Sequence, residues 1–274
     1  MVDRLSSLLQ RFSLRAHVHH GGALRGPMSF GEHGSDGHLH LVREGVVMLV
    51  GPGRRRLTVA APSLVYLPRR AAHRLMAAPG AQAQVVCASV SFGSDQENPV
   101  LRGLPALVCV PLADMPGLDV AQALLTQEAL AGRCGQAAVV DRLAEVLVVQ
   151  LLRWCIERGQ VHSGSLAGLA DARLSRAITA MHDEPSEPWT LDSLAQVAGM
   201  SRSRFAAHFK AVVGLPAAEY LKRWRIDVAK GLLRQGLPIK IVAGDAGYGS
   251  TSAFGKAFTQ VEGASPSEWR GRVL

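Results

Sequence analysis

Three histidines and one cysteine in the first third of the chain have the residue types of a metal site. His38 and His40 alternate along a predicted strand, so both side chains point to the same face of that strand. If this face lines the interior of a barrel, His73 and Cys87 can join them. Three imidazoles and one thiolate form a suitable ligand set for zinc. The candidate metal ligands are therefore His38, His40, His73 and Cys87, with zinc as the candidate cofactor.

Two other interpretations of these residues stay open. The histidines can be buried, hydrogen-bonded side chains in a pocket that holds no metal. Cys87 can be a redox-sensitive thiol, which requires a lowered pKa and access to solvent.

A second group of residues occurs twice along the chain. Residues 198–205 (AGMSRSRF) correspond to residues 246–254 (AGYGSTSAF), with one residue inserted in the second copy and 49 residues between the matching phenylalanines. In each copy another Phe follows four residues later, and a Gly follows nine residues after the first Phe. A helix, a Gly-containing turn and a second amphipathic helix in each copy predict two helix-turn-helix units.

The second helix of each unit has a polar face suited to the major groove of DNA. Phe205 and Phe209 are four residues apart and anchor the first of these helices inward, which leaves Arg204 free for a guanine edge or a phosphate. The candidate DNA-binding residues are Ser201, Arg202, Ser203, Arg204, His208 and Lys210 in the first unit, and Ser250, Thr251, Ser252 and Lys256 in the second. The second unit has Gly244 and Gly255 in its helices, so we expect it to be looser and to contact mainly phosphates.

The charge of the chain supports a polyanionic partner. The net charge is +8, and from residue 190 to the end there are 12 Lys and Arg against 6 Asp and Glu. This excess favours nucleic acid as the partner, although a solvated basic face with no partner has the same composition. We expect a cytoplasmic protein without a membrane segment, because no signal peptide, long apolar run or paired cysteine motif is recognisable.

Hydrophobic periodicity divides the rest of the chain. A helix is predicted over residues 4–12. Between about 14 and 110, five short apolar runs predict the strands of a small barrel or sandwich, at 39–42, 46–50, 57–60, 64–67 and 85–92. Residues 118–159 have helical periodicity, and their second helix is apolar on more than one face. One face would pack on the barrel and the other on a partner subunit, which predicts a homodimer; a purely intramolecular core helix is the alternative.

Both halves of the chain resemble one family. His40 to Gly45, and Pro62 to Pro68 with His73, are similar to the barrel motifs of the cupin domain in AraC-type regulators, although Pro62-Ser63 replaces the usual Gly-Asp turn. Residues 191–216 and 246–266 closely resemble the AraC/XylS-type DNA-binding domain. Cupin enzymes bind metal through a His-x-His, Glu and His motif. Here Glu44 falls in the turn outside the barrel, His38 takes the place of the glutamate, and His33 is a further candidate ligand.

The resemblance implies an α+β multidomain fold and a regulatory function. The expected parts are a cupin-like β-barrel (a double-stranded β-helix) at 1–112, a helical dimerisation segment at 113–160, a linker at 161–170, and an all-α DNA-binding domain at 171–274 with helix-turn-helix units at about 191–212 and 239–262. Such a protein would be a sequence-specific transcription regulator and not an enzyme, responding to a small molecule, a metal or an oxidant at the barrel. RNA polymerase is a candidate partner. A metal-dependent cupin oxygenase or isomerase fused to a helical module is the alternative.

Overall fold

A computed structural model describes residues 3–31, 36–51, 56–93 and 98–273. Contacts divide the chain into two compact units, one formed by Phe12–His162 and the other by Met1–Arg11 together with Ser163–Leu274. The predicted barrel and helical segment thus form one unit. Among the described residues, no helix has both the length and the apolar character that a membrane crossing requires. His33 lies outside the described residues.

The unit Phe12–His162 contains two antiparallel sheets. The strands in its described residues are β1 (Leu14–Ala23), β2 (Met28–Phe30), β3 (Gly37–Glu44), β4 (Val46–Val50), β5 (Arg56–Ala60), β6 (Ser63–Leu67), β7 (His73–Ala77), β8 (Gln84–Phe92) and β9 (Val108–Pro111). One sheet has the order β1-β8-β3-β6-β9 and the other the order β2-β7-β4-β5. The five apolar runs predicted as strands correspond to β3, β4, β5, β6 and β8.

The core of this unit lies between the two sheets. Val42, Val65 and Val85 of the first sheet pack in one cluster with Val47 and Leu75 of the second. Strand β3 is buried on both faces, because alternate residues such as Leu39 and Leu41 point away from the cluster and are also covered.

Three helices follow the strands or connect them: α2 (Pro99–Arg102), α3 (Asp119–Ala131) and α4 (Gln136–Glu157). Helix α4 packs on β1 and β8 and buries one stripe along its length, including Val140, Leu147 and Leu151. Asp141 of α4 accepts a hydrogen bond from the backbone N–H of Val18 at 2.7 Å. The helix thus supplies a hydrogen-bond acceptor to the edge strand β1.

The second unit consists of helices, which are α1 (Ser6–Arg11), α5 (Gly164–Ala170), α6 (Leu174–Asp183), α7 (Leu191–Val197), α8 (Arg202–Val213), α9 (Ala217–Arg234), α10 (Ile239–Asp245), α11 (Thr251–Glu262) and α12 (Pro266–Val273). The predicted N-terminal helix is present, but it belongs to this unit and not to the barrel. Leu8 of α1 is fully buried, and Arg4 donates a hydrogen bond to the carbonyl oxygen of Leu169 at 3.2 Å.

The stretch 161–170, predicted as an interdomain linker, contains helix α5. Its small residues permit close packing: a Cβ on Gly168 would lie 2.2 Å from Cδ1 of Ile178. Leu166 and Leu169 are fully buried. Tertiary burial therefore makes a helix of a segment whose composition is that of a loop.

The two repeated units fold alike. Helices α7 and α8 form the first helix-turn-helix, and α10 and α11 form the second. Thr190 caps α7 in a capping box with Ser193. Helices α8 and α11 end at Gly214 and Gly263, whose φ angles of 83° and 72° lie in the left-handed region.

Replacing Gly255 by alanine should stabilise helix α11. Nothing lies within 4 Å of a Cβ placed there, and the corresponding position in the first unit is Ala206. We expect Gly255→Ala to raise the free energy of unfolding by about 1 kcal/mol, because Ala has the higher helix propensity. Urea unfolding with an unchanged m-value would measure it.

Gly263→Ala is the matched control, since the added methyl again meets open space but the φ angle is left-handed. It should lower the free energy of unfolding by about 1 kcal/mol. A Gly255→Ala protein no more stable than wild type would show that glycine does not loosen α11.

Candidate functional site

Helix α8 presents its predicted recognition residues to solvent. Ser201, at the N-cap position, and Arg202, Ser203 and Arg204 in the first turn are exposed, as is Lys210 near the C-terminus. The opposite face is anchored by Phe205 and Phe209, which are fully buried with ring centroids 5.5 Å apart. The Ser201 side chain makes no capping hydrogen bond, so its hydroxyl is available to a ligand.

These residues differ in whether they have a hydrogen-bond or ion-pair partner within the same unit. The guanidinium of Arg202 lies 3.3 Å from the carboxylate of Asp192, with both side chains about two-thirds exposed. The Nε2 atom of His208 lies 2.7 Å from Oδ2 of Asp171, so the structure gives this predicted DNA contact a protein partner. Arg204 makes no hydrogen bond or ion pair with any other residue in the described ranges.

Helix α11 repeats the arrangement with different chemistry. Ser250, Thr251, Ser252 and Lys256 are exposed, and Phe254 and Phe258 are fully buried with ring centroids 5.5 Å apart. The Ser250 hydroxyl accepts a hydrogen bond from the backbone N–H of Ala253 and so caps the helix. Of the predicted contacts on α11, only Lys256 carries a charge.

Basic residues of helix α9 form ion pairs within the protein. Lys222 and Arg223 pair with Glu219, and Lys230 is buried between Asp227 and Glu262. Lys222, Arg223 and Lys230 are thus engaged in ion pairs within this unit, whereas Arg204, Lys210 and Lys256 of the recognition helices are exposed.

The barrel interior gathers the predicted histidines around one phenylalanine. His38, His40 and His73 are buried, and their ring centroids lie 5.6, 4.7 and 5.2 Å from that of Phe30. Cys87 is fully buried and lies opposite His40 in the pairing of β3 with β8, so both side chains point to the same face of the sheet. The four predicted ligands thus face one interior.

Hydrogen bonds determine which ring nitrogen carries the proton in His73 and in His40. The Nδ1 atom of His73 lies 2.7 Å from the carbonyl oxygen of Ala71, to which it must donate. The Nε2 atom of a neutral His73 is then an acceptor for Nε2–H of His40, 2.8 Å away. The Nδ1 atom of His40 therefore carries a lone pair. Like Nδ1 of His38, it is buried and has no hydrogen-bond partner among the described residues.

Burial makes this cluster electrically neutral. Burial, with smaller contributions from His73 and His19, lowers the pKa of His38 to about 4. Burial also lowers the pKa of His40 and His73, and it raises the pKa of the Cys87 thiol to about 12. Neutral imidazoles are the form that binds metal, but no three His, Cys, Asp or Glu among the described residues are arranged to hold an ion.

Comparison with known proteins decides between the classes proposed from the sequence. A cupin family profile matches residues 3–157, more than half of the chain, and a helix-turn-helix domain profile matches residues 194–272. The chain belongs to the AraC-type transcription regulators.

An AraC-like transcription regulator of Streptomyces lividans is 40% identical over 185 residues, a match that covers 66% of this chain but only 60% of the relative. The RCS-specific activator RclR of Escherichia coli is 29% identical over 239 residues, which cover 85% of this chain and 84% of RclR. A solved transcriptional dual regulator from Escherichia coli has 28% identity and a TM-score of 0.34, covering 36% of this chain and 89% of that one.

The predicted fold class is confirmed by these matches, and the relatives themselves are named as transcription regulators. Two features of this interior were not predicted: Phe30, whose ring lies beside the three histidines, and the bulge between Val18 and His20 in β1. His19, in that bulge, has its ring centroid 5.6 Å from that of Phe30. The run of histidines in β1, which belongs to the first sheet, was the available signal.

Proposed function

We propose that the chain is a sequence-specific DNA-binding regulator that responds to a small molecule, a metal or an oxidant in its cupin barrel. The observation that carries the proposal is the doubled recognition helix, with exposed polar residues on one face and two buried phenylalanines on the other in each copy. A double-stranded promoter or operator is the partner, which implies a cytoplasmic location. Contact with RNA polymerase would allow activation.

The two recognition helices have different roles in this proposal. Arg204 and Ser203 of α8 contact base edges, because an exposed guanidinium without a protein partner can donate to both acceptors of a guanine. Helix α11 contacts chiefly the phosphates through Lys256 and its hydroxyls. The first unit thus supplies base preference and the second supplies affinity and register.

Arg204→Ala should relax base preference at one position of the operator. The expected cost is about 1–3 kcal/mol at that base pair, because a bidentate contact to guanine is lost. Lys210→Ala, on the same helix, should instead weaken binding to all sequences and reduce the salt slope by about 1. Binding to a library of single-base operator variants, measured at several salt concentrations, distinguishes the two effects.

A uniform loss for Arg204→Ala would show that this residue contacts only phosphate. Wild-type protein that binds no duplex with steep salt dependence, yet carries stoichiometric iron, would overturn the regulator proposal and favour the cupin enzyme.

We also propose a homodimer formed through α3 and α4. Helix α4 has a second apolar stripe on the side away from the sheet, in which Val139 and Val146 are 40% and 43% exposed. Val120 and Leu130 of α3 are 79% and 52% exposed. Apolar side chains repeated along the exposed sides of two adjacent helices are typical of a subunit interface, and a second copy is the occupant to which we commit.

Val146→Asp should convert the dimer to a monomer, because burying a carboxylate in an apolar interface is costly. Light scattering after size-exclusion chromatography measures the mass. Thr58→Asp, which adds the same charge at an exposed position of β5, should leave the mass unchanged. A wild-type monomer at micromolar concentration, or a Val146→Asp dimer, would contradict the proposed interface.

Zinc is the cofactor we propose for the barrel, with His38, His40, His73 and Cys87 as ligands. The hydrogen bond from Nδ1 of His73 to Ala71 supports this, since metal-binding histidines commonly donate their second nitrogen to a carbonyl group. Binding would require the 2.8 Å hydrogen bond between His40 and His73 to open and the Cys87 thiol to lose its proton. A metal or other effector would then change the dimer geometry and the presentation of the recognition helices.

Protein purified without chelators should carry about one zinc ion per chain, and His40→Ala/His73→Ala should carry none, because two of four ligands are lost. Elemental analysis measures the metal. His162→Ala, at an exposed histidine of the same unit, is the matched control and should retain it. Wild-type protein without bound metal would refute the zinc proposal and favour a metal-free pocket.

A further inference from the structure

Arg225 lies where helix α9 passes from one hydrophobic core to the other. Before it, Tyr220 packs on Phe209 of the first unit, with ring centroids 5.6 Å apart, and Trp224 stacks on His182 at 3.7 Å. After it, Ile226, Ala229 and Leu233 belong to the cluster that contains Phe254 and Phe258 of the second unit. One helix therefore contributes to the cores beneath both recognition helices.

The guanidinium of Arg225 connects the two helix-turn-helix units. Its Nε–H and Nη2–H donate to the carbonyl oxygens of Pro185 and Glu187, each at 2.7 Å. These carbonyls belong to the loop that leads into α7. Its Cζ atom also lies 5.8 Å from the ring centroid of Tyr248, in the turn between α10 and α11. A planar guanidinium can hold two carbonyls and stack on a ring at the same time.

The loop also contacts the turn of the second unit directly. Gly247 has a φ of +80°, and a Cβ placed on it would lie 2.7 Å from the carbonyl oxygen of Pro185 and 2.8 Å from Cα of Ser186. The Tyr248 ring continues this contact to Phe254 of α11, with centroids 5.5 Å apart. A chain of contacts thus runs from the loop before α7, through Arg225 and Tyr248, to the anchor of the second recognition helix.

We propose that Arg225 is a positioning residue for DNA recognition: it fixes α11 relative to α8 and so sets the spacing of the two half-sites. The inference rests on the DNA-binding function proposed above. Recognition helices that enter the major groove one turn apart must be about 34 Å from each other, so a small rotation of one misplaces it on its half-site. In this role Arg225 acts through the loop and not through DNA, because its Nε and Nη2 atoms donate to the loop carbonyls.

The test uses a duplex that the full-length wild-type protein selects from a randomised library, with its half-sites located by footprinting. Two kinds of duplex are derived from it. The first is a series with base pairs inserted or deleted between the half-sites, and the second is a single duplex in which the half-site of α11 is scrambled. We expect Arg225→Met to bind the selected duplex roughly tenfold more weakly, the loss expected for charge-assisted hydrogen bonds. Its affinity should depend little on spacing, and it should match wild type on the scrambled duplex.

Arg223→Met is the matched control, because Arg223 lies on the same helix and pairs with Glu219 on that helix. It should retain the wild-type spacing dependence. Arg225→Lys keeps the charge but presents a single ammonium group, so an intermediate loss is expected; it replaces Arg225→Met if circular dichroism shows that variant to be unfolded.

An Arg225→Met protein with the wild-type spacing dependence would overturn the proposal. So would an equal loss on the selected and the scrambled duplex, since that result would mean damage to the first unit. If the wild-type protein selects no duplex at all, the proposed DNA-binding function fails instead, and the two failures are distinguishable.

Discussion

The burial of helix α9 in two hydrophobic cores is the constraint on which the DNA-binding unit depends. Its first half is held by aromatic contacts to His182 and Phe209, and its second half by the cluster around Phe254 and Phe258. Because the recognition helices are themselves anchored on these phenylalanines, their orientation follows from the packing of α9. Basic side chains of α9 also form internal ion pairs; Lys230, for example, lies between Asp227 and Glu262.

In the barrel unit, by contrast, polar side chains are buried among apolar ones. Desolvation keeps His38 and His40 neutral and the Cys87 thiol protonated. The two imidazoles each bury an Nδ1 atom without a hydrogen-bond partner in the described part of the barrel. Such atoms cost free energy that a bound ligand can recover, which is why this interior is the proposed sensing site. A protonated, buried thiol is poorly suited to react first with an oxidant.

Patterns that depend on near neighbours were predictable from the sequence. Strand β4 was predicted with its observed ends, because an apolar run between Gly45 and Gly51 leaves little alternative. Strand β1 was missed because its histidines and glycines lack strand propensity; its pairing with β8 forms it.

Features that depend on distant residues were not predictable. The partner of His208 is Asp171, 37 positions earlier, and the contacts of Arg225 reach loops about 40 residues before it and 23 after it. Spacing within a repeat identifies the exposed face of a helix, but it does not show which exposed side chains already have protein partners. For the same reason the cluster of His38, His40 and His73 was expected from strand alternation, whereas Phe30 between them was not.

We propose that the two recognition helices, both packed on α9, contact one face of a duplex. Hydroxyl-radical footprinting of the wild-type protein on a selected duplex tests it most directly. For each chain we expect two protected patches about 10 base pairs apart on the same face of the DNA, the first of them sensitive to base sequence. A single patch per chain, or two patches on opposite faces of the duplex, would contradict it.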